Sequence, residues 1–338
     1  MIVDEIGTRI TLNDKENGHI FCCGMSGYGK TFWLNTMIKE NAVNNIPTMI
    51  LDYSGSFTEI ELAKAEIRVG KKIKLIDPEK DTFDLPILSD ADSGKRVLAD
   101  ILKESLRING YLNSKALRQI CSFACADKEP NLIKILAYAT EMLERSDDPA
   151  DVRRLDNLVS RMEFLISLKG IDIWNKPGRE ISQKNTCIIS LNHVSAEIRK
   201  ADVDFLMNIL WYGIREKLLP YHCIILDEVQ HIDLHTGRVA AAMLREGRKF
   251  GLSMYMATQS IKDRDSDEVE NIMQADNKIF FRPTEKESQM ISGLIGRSED
   301  WKPILSKLSR GQAVLKGNYL INNNCKESQV PIVINIRK

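Results

Sequence analysis

Residues 19–31 read HIFCCGMSGYGKT. A short apolar run, His19 to Cys23, stops at Gly24. Two further glycines follow at 27 and 29, then Lys30 and Thr31. An apolar run of this length that ends at a glycine predicts a buried strand. The residues from Lys30 to about Asn44 predict a helix, ended by Asn44, Asn45 and Pro47. Between strand and helix, residues 24–31 fit the spacing G-x-x-x-x-G-K-[S/T], in the context that spacing requires. The reason is local: glycines let the backbone turn tightly and aim consecutive N–H groups at phosphate oxygens, and the helix N-terminus adds its positive end. Lys30 can reach β- and γ-phosphates, and the Thr31 hydroxyl can ligate Mg²⁺. Gly24, Met25, Ser26, Gly27, Tyr28, Gly29, Lys30 and Thr31 are therefore the expected nucleotide cradle. Average composition gives such a match by chance roughly once in a hundred chains of this length, and the strand–helix context lowers that further.

Outward from this loop, short buried strands alternate with helices. Thr48 to Leu51, Ile73 to Ile76, Cys187 to Leu191, Cys223 to Leu226, Ser253 to Ala257, Lys278 to Phe281, Gln312 to Leu315 and Val330 to Ile336 read as strands. About 196–218 and 236–250 read as helices. The alternation predicts an α/β fold with a mostly parallel sheet covered on both faces. From 89 to 170 the pattern changes to helical spacing, as in Val97, Leu98, Ile101, Leu102 and Leu106. Three further segments, roughly 113–127, 130–145 and 148–169, behave alike, with helix starts at Asn113-Ser114 and Asp148-Pro149. The expected organisation is a core of residues 1–88 and 171–338 with an all-helical insertion at 89–170.

Chemistry-bearing residues recur at strand ends. Cys223 to Leu226 runs into Asp227 and Glu228. An acidic residue ending a buried strand suits Mg²⁺, and the second carboxylate suits a general base on the attacking water. The pair favours hydrolysis over binding alone. Ser253–Ser260, SMYMATQS, ends in Thr258-Gln259, and a Gln there can reach a γ-phosphate or the attacking water. Residues 244–251, LREGRKFG, close the helix between these two strands. A cation there is favoured by the helix C-terminus, and its sharper role is an arginine finger on a neighbouring subunit's ATP.

Together these motifs resemble the HerA/FtsK family of ring-forming ATPase motors. That family shows a His before the first strand, a G-x-[ST]-G-x-G-K-[ST] loop, an acidic strand end, an R-E-G-R-K-[FY]-G helix end and an A-T-Q strand end. Here these stand as His19, GMSGYGKT, Asp227-Glu228, Arg245 to Gly251 and Ala257-Thr258-Gln259, and residues 308–314, LSRGQAV, resemble the family's final strand entry. The likeness runs from about residue 17 to 336, and the block from Arg245 to Gln259 is its most specific part. It implies a RecA-like P-loop core, a hexameric homo-oligomeric ring with ATP sites between subunits, and translocation of duplex DNA. It also implies Lys30, Thr31, Asp227, Glu228 and Gln259 as the site in cis, Arg248 as the finger in trans and Arg245 as its reserve. Tyr28 replaces a small Ser, and Val229-Gln230 replaces Ala-His after the acidic pair. Only 23 residues precede Gly24, so the N-terminal β-barrel of HerA proteins is expected to be missing. A helical insertion is also similar to that of the conjugative secretion ATPases. Three functions stay open: an ATP-driven DNA motor; an ATPase subunit of a conjugative, secretion or defence assembly that does not grip DNA, with a nuclease or secretion component as protein partner; and a nucleotide-sensing switch.

The whole chain sets bounds. Its 338 residues suggest about two structural units. Lys plus Arg and Asp plus Glu are 47 each, which excludes a uniformly basic nucleic-acid binder but not a local binding surface. Seven cysteines at irregular spacing fit free thiols in a reducing cytoplasm. No apolar run approaches a membrane span, and the N-terminus lacks signal-peptide character. Cys121 and Cys125 read as buried thiols, His231, Asp233 and His235 as a solvated loop, and Arg68, Lys71, Lys72 and Lys74 as a solvated face.

Overall fold

The computed structural model describes residues 2–4, 8–12, 18–70, 72–88, 91–175, 186–321 and 327–336. In chain order its elements are β1 (Ile2–Asp4), β2 (Arg9–Leu12), β3 (Ile20–Cys23), α1 (Lys30–Val43), β4 (Thr48–Asp52), α2 (Glu59–Lys64), β5 (Ile73–Ile76), β6 (Phe83–Leu88), α3 (Ala91–Ser105), α4 (Tyr111–Ala126), α5 (Leu132–Glu144), α6 (Pro149–Met162), β7 (Ile171–Trp174), β8 (Thr186–Ser190) and α7 (Ala196–Arg215). There follow β9 (Cys223–Leu226), α8 (Val239–Glu246), β10 (Ser253–Thr258), α9 (Ser266–Ile272), β11 (Asn277–Phe281), α10 (Glu285–Ile295), α11 (Ser298–Lys307), β12 (Gln312–Lys316), β13 (Tyr319–Ile321), β14 (Glu327–Ser328) and β15 (Ile332–Ile336). The chain divides into two compact units: Met1–Lys74 with Lys184–Cys187 and Tyr221–Lys338, and Leu75–Gln183 with Ile188–Pro220. The boundaries fall after residues 74, 183, 187 and 220, the first within β5 and the third within β8.

The first unit is α/β. Its strands lie in the order β14-β13-β2-β1-β15-β12-β11-β3-β10-β9-β4. From β11 to β4 the neighbours are parallel. These strands are continuous apolar runs because helices cover such a sheet on both faces: every residue of β3, β4 and β9 is buried. Helix α1 buries Trp33, Leu34, Met37 and Ile38, spaced so that they share one face, and the Trp33 ring lies 6.2 Å from that of Tyr255 on β10. Beyond β11 the sheet turns antiparallel through β12, β15, β1, β2, β13 and β14. Sequence patterning does not anticipate β1, β2, β13 and β14. They are two to four residues long, and only Ile10 of β2 is buried.

The second unit holds α3 to α6 across the stretch read as helical, and it extends past 89–170 on both sides. It includes the parallel pair β6–β7 and helix α7. The start of α6 follows from its sequence: Asp148 Oδ1 accepts the Ala150 N–H at 3.0 Å and Pro149 opens the helix. Asn131 caps α5 by accepting from Lys134 N at 3.1 Å. Phe164 meets Phe205 of α7 edge-on at 5.4 Å, and Ser167 donates to buried Asp202 at 2.7 Å. Among the described residues no helix is long and apolar enough to cross a membrane.

Candidate active site

Because β4, β9, β10, β3 and β11 run parallel, the residues that follow them emerge along one edge of the sheet. Cys23 is in register with Thr258 on one side and Phe280 on the other, and Leu226 with Met256 and Leu51. Residues 24–30, Asp52, Asp227, Glu228, Gln259 and Arg282 are thereby brought to a common edge. The loop at 24–29 is held close to β11. A Cβ on Gly24 would lie 2.6 Å from the Cβ of Phe281, and the Gly24 φ of 149° is one that side chains rarely adopt. Gly24 N–H donates to Thr258 O at 3.3 Å, Met25 N–H to Arg282 O at 2.9 Å, and Gly311 N–H to Tyr28 O at 2.9 Å. Lys30 opens α1, buried, and its ammonium donates to the carbonyls of Gly24 (2.6 Å) and Met25 (3.0 Å). Thr31 follows in the same turn. The Arg282 guanidinium stands 5.8 Å from the centre of the Tyr28 ring.

Three carboxylates complete the edge. Asp52 is fully buried at the end of β4 and accepts the N–H groups of Gly55 (2.9 Å), Ser56 (3.0 Å) and Phe57 (3.1 Å). Burial nevertheless pushes its pKa up to about 6. Burial likewise raises Asp227. Asp227 Oδ1 accepts the Glu228 N–H at 2.9 Å, whereas its buried Oδ2 has no hydrogen-bond partner among the described residues. A buried carboxylate oxygen left in that state, next to an ammonium and a helix N-terminus built for phosphate, suits a hard divalent cation. Glu228 has a left-handed backbone, φ 57° and ψ 49°. Its Oε1 accepts from Gln259 Nε2 at 2.7 Å and its Oε2 accepts from Gln230 Nε2. Gln230 Oε1 in turn accepts the Thr258 hydroxyl at 2.7 Å. The base candidate is thus gripped by two amides, one from its own loop and one from β10. Buried Arg264 fixes that loop by donating to the carbonyls of Ile232 (2.9 Å) and Val229, while pairing with Glu268.

The structure brings Lys30, Asp227, Glu228 and Gln259 together. It places Arg245 and Arg248 elsewhere. They lie at the end of α8 and in the 3₁₀ turn Gly247–Phe250, ahead of β10, so they stand at the opposite edge of the parallel strands, roughly 20 Å away for a strand of this length. Both are exposed. The turn is packed against His19: a Cβ on Gly247 would lie 3.1 Å from the imidazole Cε1, and His19 Nδ1 accepts the Met254 N–H at 2.9 Å. Burial lowers the His19 pKa to about 4, so the ring is neutral. His19 and the REGRKFG segment therefore form one joint.

Other residues singled out in the sequence take structural places. Cys121 and Cys125 are buried thiols. His231 stacks on Tyr53 at 4.6 Å. Asp233, His235 and Glu268 come within metal-ligand reach of one another, but both His235 nitrogens are held at 2.7 Å by Asp233 and Asp265. The two carboxylates raise the His235 pKa, and the arrangement is an imidazolium ion pair. Lys72 donates to Ala42 O at 3.3 Å. Lys71 and Cys325 lie outside the described residues. Sequence reading did not assign a role to Gln230, Arg282 or Asp52. Asp52 carried the one usable signal, an acidic residue closing a buried strand.

A glycine-rich loop between β3 and α1, with acidic and amide residues on neighbouring parallel strand ends, defines the class: a P-loop ATPase fold. The chain is 24% identical over 364 aligned residues to the DNA double-strand break repair helicase HerA of Sulfurisphaera tokodaii, covering 100% of this chain and 68% of that protein. It is 22% identical over 359 residues to the probable helicase MJ1565 of Methanocaldococcus jannaschii, covering 99% and 65%. The chain therefore spans about two thirds of the length of these relatives. Among solved structures, VirB4 of Thermoanaerobacter pseudethanolicus shares the fold with a TM-score of 0.67 at 15% identity, over 99% of this chain and 95% of that one. No protein-family profile matches. Within the P-loop class, these similarities agree with the motif resemblance to the HerA/FtsK superfamily.

Proposed function

We propose that the chain is a Mg²⁺-dependent ATPase that works as a hexameric ring in the cytoplasm and translocates duplex DNA. The observation that carries this reading is the convergence of Lys30, Asp227, Glu228 and Gln259 on one sheet edge around a phosphate-shaped loop. Residues 24–31 would hold the ATP phosphates through backbone N–H groups and the Lys30 ammonium. Thr31 and Asp227 would hold Mg²⁺, which when bound neutralises charge on the phosphate oxygens. Glu228 would take the proton of the attacking water as its oxygen bonds to the γ-phosphorus and the bond to the β-phosphate oxygen breaks. Gln259 would orient Glu228 and the water. Arg248, with Arg245 in reserve, would face the site of the neighbouring subunit and stabilise the charge on the transferred phosphoryl group. The relatives named as helicases support DNA as the polymer moved. The buried free thiols at 22, 23, 121, 125, 187 and 223 support a reducing compartment.

The test is ATPase rate and nucleotide affinity measured on protein of known oligomeric state, with and without long duplex DNA. Lys30→Ala should lose nucleotide binding. Glu228→Gln should bind nucleotide normally and lose turnover by a factor on the order of 10²–10⁴. Duplex DNA should raise the wild-type rate, and its binding should weaken with salt at a log–log slope of about −0.9 per phosphate neutralised. Wild-type turnover by Glu228→Gln would remove the base from the scheme. A rate indifferent to DNA in an assembled ring would move the reading to an ATPase subunit of a secretion or defence assembly.

A further inference from the structure

One cavity in the second unit is larger than the cleft beside the phosphate loop. It measures about 1000 Å³ along α3 and α4, against about 720 Å³ for the cleft lined by Met25, Ser26 and Gln259. The larger groove has a charge that the chain as a whole lacks. Lys95, Arg96, Lys103, Lys115 and Arg118 line it, with Asp100 as the one acidic residue, in a protein whose formal charge is zero. Arg96, Lys103, Lys115 and Arg118 form no ion pair among the described residues. Nearby arginines are committed: Arg107 pairs with Asp204 at 3.7 Å, Arg154 with Asp151 at 2.8 Å, and Arg161 donates to Leu106 O at 3.0 Å. Among the described residues, Arg96, Lys103, Lys115 and Arg118 are therefore the groove cations left for an outside anion.

Their arrangement along α4 is regular. Tyr111, Lys115, Arg118, Gln119 and Ser122 recur at helical spacing and share a face, and α4 carries no acidic side chain. At the start of that face the Tyr111 ring is 79% exposed, an unusual position for a large aromatic unless it meets a partner. A row of cations beside an exposed aromatic ring is how proteins hold single strands: phosphates take the charges, and an unstacked base lies on the ring. The bases of a duplex are already stacked and could use the cations but not the ring.

We propose that the α3–α4 groove binds single-stranded nucleic acid, with its cations on the phosphates and Tyr111 stacked on a base. The experiment is fluorescence anisotropy of a labelled oligothymidine of about 20 nucleotides with the full chain at several salt concentrations, without ATP. Binding so measured holds or fails separately from ATP turnover. The double variant Lys115→Glu/Arg118→Glu should weaken binding at least about tenfold, and every phosphate left unneutralised by it should flatten the log–log salt slope by about 0.7. Tyr111→Ala should weaken binding roughly tenfold with the slope unchanged. Lys128→Glu, an exposed cation of the same unit outside the groove, should leave binding unaltered. Circular dichroism of each variant shows that α3 and α4 remain folded. Unchanged affinity in the charge-reversed variant overturns the proposal. So does a duplex of equal length that binds as tightly and ignores Tyr111→Ala. Displacement of the oligonucleotide by polyglutamate at equal charge concentration would give the groove to an acidic protein segment instead and would likewise overturn it.

Discussion

The two edges of the parallel sheet are both rich in buried polar groups, yet they use them in opposite ways. At the edge where the strands end, Lys30, Asp52 and Asp227 are buried; Lys30 and Asp52 are held by backbone groups, and one Asp227 oxygen has no hydrogen-bond partner among the described residues. At the edge where they begin, one neutral imidazole, His19, ties β3, β10 and the turn at Gly247 together while Arg245 and Arg248 reach into solvent. Burial drives each titrating group toward its neutral form, so the carboxylates rise and the imidazole falls. The first edge keeps its charges where a charged ligand can compensate them. The second is uncharged at its buried His19 and carries the exposed cations Arg245, Arg248 and Lys249. On the proposed reading, a subunit of this form carries half a reaction centre on each side.

The largest expected effect tests that division. Arg248→Ala should reduce kcat on the order of 10³-fold without lowering thermal stability, because the side chain is exposed. Mixed with Glu228→Gln subunits, it should recover part of the activity, since some interfaces then hold both intact halves. A mixture that stays inactive while mixed rings form would mean that the edges do not cooperate between subunits.

Next in size is a pH effect from the opposite edge. His19 has a folded pKa of about 4 against 6.5 unfolded. Between these values the unfolded chain binds more protons, so this group's contribution is complete above 6.5 and is lost as pH falls toward 4. Its full size is about 3 kcal/mol. Asp52, raised from 3.8 to about 6, acts with the reverse sign and favours the folded state as pH falls through that range. The informative quantity is therefore a difference. His19→Asn keeps an acceptor for the Met254 N–H and removes the titration, so denaturant unfolding from pH 7 to 4 should show a smaller loss for the variant than for the wild type. Parallel curves would mean that His19 is not the buried neutral joint.

The smallest effect refines the first edge. Gln230→Ala removes one of the two amides on Glu228 and the link to Thr258. It should lower kcat by roughly tenfold while leaving the nucleotide Kd unchanged. An altered Kd with normal kcat would assign Gln230 to binding instead.

How much could be read beforehand follows the same geography. The loop at 24–31 and the acidic pair were legible because neighbours in sequence are neighbours in the site, and each is attached to a strand buried on both faces. Gln230 was visible only as a replacement in a familiar pattern; its value appears when Thr258, 28 residues away, comes within 2.7 Å. Arg282 reaches the loop because β11 lies beside β3, a pairing that no local spacing encodes. The antiparallel flank was missed because β1, β2, β13 and β14 are too short to show a period. The breadth of the second unit was hidden in β6, FDLPIL, whose Pro86 argues against a strand and whose partner Ile171 lies 88 positions from Phe83.

Glu228 carries one more consequence. A glutamate at φ 57° adopts a backbone that costs about 1–2 kcal/mol for residues other than glycine. Glycine at that position would relieve the strain while abolishing the base, so the catalytically dead chain would be under less tension than the working one. On the proposed reading, selection for turnover would keep Glu228 against that strain. In a library of random variants sorted first for folding and then for ATP hydrolysis, position 228 should reverse its preference between the two rounds.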